Sequence, residues 1–490
     1  MRAAAVIYIL GWLMTSAAAA MLVPTAFAVA LDPALVFEAF LFPAVVIGFI
    51  GVNMLIAFRA RDMAISRRQS LAVLVLIWVL MPLAGALPLY SAGFPGELVP
   101  AIFEATSGFT TTGASVISEF ATVPRSIIVW RGLLQWMGGL VTLLLLAALL
   151  GPLWEGNLTE RQFRLFGKSE QRIFPRIAEA IRVILPIYML VTLLCFLCLM
   201  LSGLPSFDAF CLSLSTVSTG GFMPREGTIA LYGSTSAEFV LAIFMALSSI
   251  SILWVRAVFS GRWTFVKDMR EPYFIAVAIV IFGGVLTLLM LKNAPVGGFG
   301  DVLDTVALSL ATAASLISTT GFMISEPAHS LIPYMVVLAV AIIGGGAFST
   351  AGGLKVYRLW AMFRQIGREL RLLVYPHGVR PSADGDEIRD ERLMMAIWTT
   401  FGAYIITIAV LAIALAASGL AFEGALLAAA SSVSNIGPAY EIIRVNDFPD
   451  APSYANMAPW TQIALCGGMI LGRGEVLVLL SLLSTTYWRD

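Results

Sequence analysis

ISTTGF (317–322) is one of four near copies of a single segment in this chain. The others are FTTTGAS (109–115), VSTGGF (217–222) and VSNIGP (433–438). Aligned on Gly113, Gly221, Gly321 and Gly437, the copies lie 108, 100 and 116 residues apart. Six positions before each glycine stands a serine: Ser107, Ser215, Ser315 or Ser431. Three positions before stands Thr110, Ser218, Ser318 or Ser434, and two before stands Thr111, Thr219, Thr319 or Asn435. A fourfold internal repeat predicts four units around a common axis. In a membrane, such an axis is a natural place for a pore.

The rest of the chain supplies the membrane. Its 490 residues are 59% hydrophobic and 12% charged, with a mean hydropathy of +0.91; soluble domains carry about 25% charged residues. Ten spanning helices are expected near 3–28, 35–57, 70–90, 123–150, 179–203, 236–256, 272–291, 331–358, 393–417 and 457–483, several reaching the roughly 20 apolar residues that a crossing needs. The N-terminal run is longer than a signal-peptide core and another span follows it closely, so it reads as a retained helix. The first two spans form a hairpin, and the other eight form four pairs, each bracketing one repeated segment.

Ahead of each glycine lies a shorter apolar run, such as LVPAIFEATSGF (98–109) or FDAFCLSLSTVS (207–218). That length suits a re-entrant half-helix rather than a span. Non-helical backbone at membrane depth is tolerated only when buried in protein or lining a water-filled cavity. The expected fold is therefore an all-α integral membrane protein: a leading hairpin (1–69), then four helix–half-helix–filter–helix repeats at 70–178, 179–271, 272–392 and 393–490 around a central pore.

Charge sets the orientation. The segments 58–69, 155–182, 256–271 and 355–392 hold 22 of the 30 Lys and Arg residues. By the positive-inside rule these loops face the cytoplasm. Both termini then lie inside and all four repeated segments outside. The net charge of zero gives no field for nucleic acid. Cys195 and Cys198 sit in an apolar span without neighbouring ligands and read as helix residues. His329 and His377 are far apart, on opposite predicted sides, and no nucleophile–base or metal constellation appears. GGGAFSTAGGLK (344–355) lacks the ending of a phosphate loop, so no organic cofactor is expected in this chain.

A pore that dehydrates cations needs a ring of oxygen ligands, and backbone carbonyls supply them without fixed charge. Glycine permits the backbone turn that aims them at an axis. A half-helix ending at the ring adds its negative dipole end. Glu119, Glu226, Glu326 and Glu441 follow the four glycines; they either concentrate cations at an outer mouth or are ordinary solvated carboxylates, with Arg125, Arg225 and Arg444 near enough to neutralise some. GGGAFSTAGG (344–353) holds five glycines in ten residues, each costing about 1 kcal/mol in a helix interior, so the eighth span should break or pack closely there. Arg473 falls inside the last span, where an unpaired arginine is costly; Glu475 or a place near the cytoplasmic end offers relief. Arg131 reads as structural or interfacial.

The four segments, in order and near 100-residue spacing, resemble those of the Trk/Ktr/HKT superfamily of potassium transporters. With the leading hairpin, the chain looks most like the TrkH/TrkG type. WRGLLQWMGGL (130–140), STAGGLK (349–355) and LGRGE (471–475) also look like family segments. The resemblance implies a potassium filter lined by Thr111, Thr112 and Gly113; Thr219, Gly220 and Gly221; Thr319, Thr320 and Gly321; and Asn435, Ile436 and Gly437. All four glycines are present, which favours potassium over sodium. Asn435 and Ile436 depart from the pattern of the first three segments and make the ring asymmetric. The resemblance further implies an intramembrane gate below the filter, formed by Gly344, Gly345, Gly346, Ser349, Thr350, Gly352 and Gly353, together with a pore-facing Arg473. It implies K+ as the transported ion, a bacterial inner membrane, a homodimer in lipid, and a cytoplasmic TrkA-like ring that binds nucleotide. The loops at 155–182 and 355–392 are candidate docking surfaces for that ring. A sodium-conducting or Na+/H+-coupled member of the superfamily and an alternating-access carrier remain open.

Overall fold

The computed structural model describes residues 4–58, 67–147, 173–293, 298–374 and 387–474. Among the described residues the regular structure is helical, with no strand. Helices α1 (Ala4–Leu31) and α2 (Ala34–Ala57) form the leading hairpin. The first repeat holds α3 (Arg67–Ser91), the short α4 (Leu98–Phe109) and α5 (Arg125–Leu145). The second holds α6 (Ile173–Leu201), the short α7 (Ser206–Val217), α8 (Thr235–Ser249) and α9 (Ile252–Phe259). After α10 (Trp263–Asp268) comes the third, with α11 (Glu271–Asn293), α12 (Phe299–Ile317), α13 (Glu326–Ser330), α14 (Tyr334–Ile343) and α15 (Val356–Val374). The fourth holds α16 (Glu387–Ala416), the short α17 (Phe422–Val433), α18 (Pro438–Asp447) and α19 (Pro459–Arg473).

Eight described helices are long and apolar enough to cross a membrane, nine if the bent pair α8 and α9 counts as one. Seven of the ten expected spans appear as continuous helices of that kind. Of the three others, two are interrupted and one is described only in part. The sixth, expected unbroken over 236–256, bends by 109° between Ser249 and Ile252. The eighth stops at Ile343 and resumes as helix only at Val356. The tenth is described only to Gly474, the last part lying outside the described residues. Conversely, α12 has 19 residues and qualifies as a span by length, yet it ends at its glycine segment as the three 12-residue helices do.

Packing follows the repeats. In the first, Trp130 meets Phe40 of the hairpin edge to face at 6.1 Å and donates its indole N–H to Gly85 O at 3.0 Å. Trp78 meets Phe109, the last residue of α4, at 5.2 Å. A Cβ on Gly138 would lie 1.7 Å from Phe109 O, and one on Gly472 would lie 2.0 Å from Val433 O. Thus α5 and α19 press bare backbone against the carbonyl ends of α4 and α17, which accounts for a glycine in WRGLLQWMGGL and another in LGRGE.

His329, in α13 and outside the spans, is 3% exposed. Its Nδ1 lies 2.8 Å from Ser325 O, while Nε2 has no partner. Burial holds its pKa below the ordinary value, against the smaller opposing effect of the Ser325 carbonyl. The unfolded chain takes up this proton near pH 6.5, the folded one at lower pH. Stability from this group is therefore complete above about pH 6.5 and is lost as pH falls, by at most about 1.4 kcal/mol per pH unit. Thermal unfolding in detergent between pH 7.5 and 5 should show that decline, and His329→Gln should flatten it.

Candidate ion pathway

Helices α4, α7, α12 and α17 all end in one local form. The residue two before each glycine takes the left-handed conformation: Thr111 (φ 54°), Thr219 (55°), Thr319 (58°) and Asn435 (54°). Its N–H bonds three residues back, to Gly108, Thr216, Leu316 and Ser432 O, at 2.9–3.1 Å. A following N–H then bonds the carbonyl of the repeated serine: Thr112 to Ser107 (2.8 Å), Gly220 to Ser215 (2.8 Å), Gly321 to Ser315 (3.1 Å) and Ile436 to Ser431 (2.9 Å). This is a Schellman-like stop, which ordinarily uses glycine or asparagine at the left-handed position. A β-branched threonine is strained there, at roughly 1–3 kcal/mol, whereas Asn435 is at ease. The repeated serines thus contribute their carbonyls; the Ser107, Ser215 and Ser431 hydroxyls are buried without a partner.

The glycines close these four ends into a ring. A Cβ on Gly113 would lie 2.2 Å from Gly220 O, on Gly221 2.1 Å from Thr320 O, on Gly321 3.1 Å from Ile436 Cγ1, and on Gly437 2.3 Å from Ala114 N. Each segment therefore touches the next, and the fourth touches the first. Three glycines are left-handed (φ 81°, 84° and 75°). Gly437 is not: it is α-helical (φ −54°, ψ −44°) and leads into α18, with Pro438 at its first turn. Its N–H donates to Thr112 O at 2.7 Å. The fourth segment thus spends its glycine on a helix start and a cross-ring bond.

Support differs from segment to segment. Thr110 shares a hydroxyl bond with Thr112, and Ser318 one with Thr320, both at 2.7 Å. Ser218 bonds back to Leu214 O, and Ser434 to the Tyr404 hydroxyl, both at 2.8 Å. Gln135 of α5 donates Nε2–H to Gly220 O at 2.7 Å. Asn435 donates to Thr112 Oγ1 (2.9 Å) and Met469 O (3.0 Å), while its Oδ1 is buried and unpartnered.

Residues 344–355 leave α14 and return as a buried loop beneath the ring. Its neck is narrow: a Cβ on Gly344 would lie 2.2 Å from Gly352 O and 2.7 Å from Gly353 Cα. Leu354 N and Lys355 N bond Ile342 O (2.8 Å) and Ile343 O (3.0 Å) across it. The loop grips three segments from below. Gly352 N donates to Thr319 Oγ1 (2.6 Å), Gly353 N to Ser434 O (3.1 Å), and Thr350 Oγ1 to Val217 O (3.1 Å). Arg473 reaches the remaining segment, donating Nη2–H to Thr111 Oγ1; it is 8% exposed and its Nε has no partner. Glu475 lies outside the described residues. A cavity of about 30 Å³ lies here, lined by Ala351, Gly352, Gly353, Lys355, Arg358 and Arg473 among others.

The structure thus brings the expected site residues of the four segments, the loop and Arg473 together. It treats the four acidic residues unequally. Glu119, Glu226 and Glu326 are exposed, while Glu441 is held by Arg444 at 2.7 Å and by Tyr454 N at 2.9 Å. Arg225 pairs with Asp208 at 2.7 Å. His377, residues 155–172 and residues 375–386 lie outside the described residues.

Sequence reasoning missed one strong pair. Arg131, 1% exposed, binds Glu104 of α4 at 2.7 Å and Ser115 Oγ at 2.9 Å, and lies 4.1 Å from the Phe222 ring centre. Glu104 also accepts Val116 N–H at 2.9 Å. The signal was one acid in an apolar half-helix and one arginine in the next span, since opposite charges at membrane depth pair with each other. Arg131→Met should lower the thermal unfolding midpoint in detergent sharply, since stranding a buried carboxylate costs about 3–5 kcal/mol. Replacing both, with Glu104→Leu added, should recover most of the loss.

A family model described as TrkH, cation transport protein, matches residues 39–265 and 286–487. The Trk system potassium uptake protein TrkH of Salmonella typhimurium is 32% identical over 430 residues, 86% of each chain. TrkG of Escherichia coli, also named a Trk system potassium uptake protein, is 27% identical over 433 residues, again 86% of each chain. The crystal structure of the potassium transporter TrkH from Vibrio parahaemolyticus superposes over 100% of both chains, with a TM-score of 0.86 at 28% identity.

Proposed function

The chain belongs to the TrkH family of cation transport proteins, and on that premise we propose that it takes up potassium through the ring at Gly113, Gly221, Gly321 and Gly437. It is a multi-pass membrane protein, a transporter rather than an enzyme, and the relatives' names point to potassium uptake. The observation that carries the finer reading is the closed ring. Four helix C-termini converge on it, each offering partial negative charge, and left-handed turns end the helical bonding there. K+ entering from outside exchanges water for oxygens of residues 111–113, 219–221, 319–321 and 435–437. Four carbonyls, of Thr112, Gly220, Ile436 and Gly437, already accept protein hydrogen bonds, so the ligands are unequal around the axis.

Below the ring the loop 344–353 and Arg473 act as the gate. The loop obstructs the exit while it holds Thr319 and Ser434, and Arg473 opposes a cation leaving past Thr111. A membrane potential supplies about 2.3 kcal/mol per charge per 100 mV for inward movement. On this reading the protein lies in a bacterial inner membrane, and the positive-inside pattern supports cytoplasmic termini. Like the Trk systems after which its relatives are named, it works with partner proteins: a second copy of this chain and a TrkA-like nucleotide-binding ring.

Proteoliposome fluxes of K+, Rb+ and Na+, with and without the TrkA-like partner, test this reading. Flux should favour K+ and Rb+ and respond to the partner; a parent that prefers Na+ would overturn it. Gly113→Ser should lower the K+/Na+ ratio by about tenfold or more, because its Cβ would collide with Gly220 O and force the ring open, and about 1.4 kcal/mol of lost discrimination is already tenfold. Arg473→Ala should raise K+ flux while leaving that ratio near the parent value.

A further inference from the structure

We propose that Glu271 is a positioning residue of the gate, a single carboxylate that latches the glycine-rich loop onto the break between α8 and α9. The proposal rests on reading residues 344–353 as the gate and adds what holds that gate shut.

Two helices are interrupted at the same depth, and each interruption serves the other. Where α8 stops, Gly346 of the loop donates its N–H to Ser249 O at 2.8 Å. Where α9 starts, Ile252 N donates to Phe348 O at 3.0 Å. Thr350 Oγ1 also lies 3.3 Å from Ser248 O. The loop is therefore parked against the bend by backbone bonds that neither helix can make for itself.

Glu271 is the first residue of α11, where the helix dipole favours a carboxylate. It does not cap its own helix alone. Its Oε1 accepts the Ala347 N–H at 2.8 Å, and its electrostatic surroundings include Lys355 and the Tyr357 N–H at the start of α15. Ala347 lies on the outgoing arm of the loop, while Lys355 and Tyr357 lie at its return, so one side chain holds the first by a hydrogen bond and faces the second. Packing leaves little slack: a Cβ on Gly346 would lie 3.2 Å from Glu271 Cδ. A loop that swings away from the ring must first release the Ala347 N–H from this carboxylate, and hydrogen bonds to a carboxylate are the strong ones. The latch thus biases a two-state element toward its obstructing position.

The test compares 86Rb+ uptake into proteoliposomes by the parent, Glu271→Ala, Glu271→Gln, and a chain lacking residues 346–352. The excision is feasible because Gly344 and Gly353 already lie side by side at the neck. Glu271→Gln preserves shape and one acceptor oxygen, and serves where the alanine variant folds poorly; monodisperse elution in detergent reports folding for each. Without the partner ring, Glu271→Ala should raise uptake per folded protein about tenfold, the effect of one such lost bond, with Glu271→Gln between it and the parent. The K+/Na+ ratio should stay at the parent value, and Glu271→Ala should add nothing in the excised chain. A role in folding alone would lower yield without raising uptake, and would overturn the proposal. If excision raises uptake and both Glu271 variants stay at the parent level, the latch is wrong and the gate stands. If excision itself leaves uptake unchanged, the gate reading fails and the latch fails with it.

Discussion

Backbone N–H and C=O groups that leave a helix inside a membrane have no water to bond, and this constraint organises the whole site. Each unsatisfied group costs several kcal/mol in hydrocarbon. The chain creates such groups at four half-helix ends, at the bend between α8 and α9, and at the break after α14. It then pairs the breaks with one another. The half-helix ends close on themselves through the repeated serine carbonyls, while the loop bonds the bend and the underside of the ring. Irregular backbone is stable here because it is concentrated in one place, not scattered along the spans.

That economy couples parts that sequence reading treats separately. The ring and the loop share hydrogen bonds at Thr319, Ser434 and Val217 O, and Arg473 adds one at Thr111. Moving the loop therefore changes the bonding of all the segments it touches. The fourth segment is the stiffest partner. Asn435 suits the left-handed turn, Gly437 begins a helix, and its N–H is tied to Thr112. Three threonine segments hold strained turns and the fourth a relaxed one, because asparagine suits the left-handed conformation better than threonine.

Much of this was legible because the signals were local. A glycine at a fixed distance from a serine marks each half-helix end, and five glycines in ten residues mark the break at 344–353. The bend at 249–252 was not legible. LSSIS (247–251) contains neither glycine nor proline, and its free carbonyl and N–H are satisfied by Gly346 and Phe348, about a hundred residues away. The helical state of Gly437 was partly legible, since Pro438 follows it at the first turn of α18, but its bond to Thr112 O across the ring was not. The Arg131–Glu104 pair was half legible: the charges stood out in apolar stretches, but their partnership depended on α5 packing against α4.

The placement of charge then follows from the placement of backbone. Four helix C-termini make the ring favourable for a cation, and a site that only attracts would hold its ion rather than pass it. Beneath it the chain sets Arg473, buried, with one hydrogen bond to the ring at Thr111 and an Nε that has no partner. Lys355 and Arg358 line the same cavity. On the proposed reading, positive charge directly under a negative ring lowers the depth of the well above and raises the step below, so different residues would set occupancy of the ring and exit from it. The carboxylate of Glu271 lies within reach of Lys355, one of those charges, and on the proposed reading it acts on the position of the loop backbone through the Ala347 N–H.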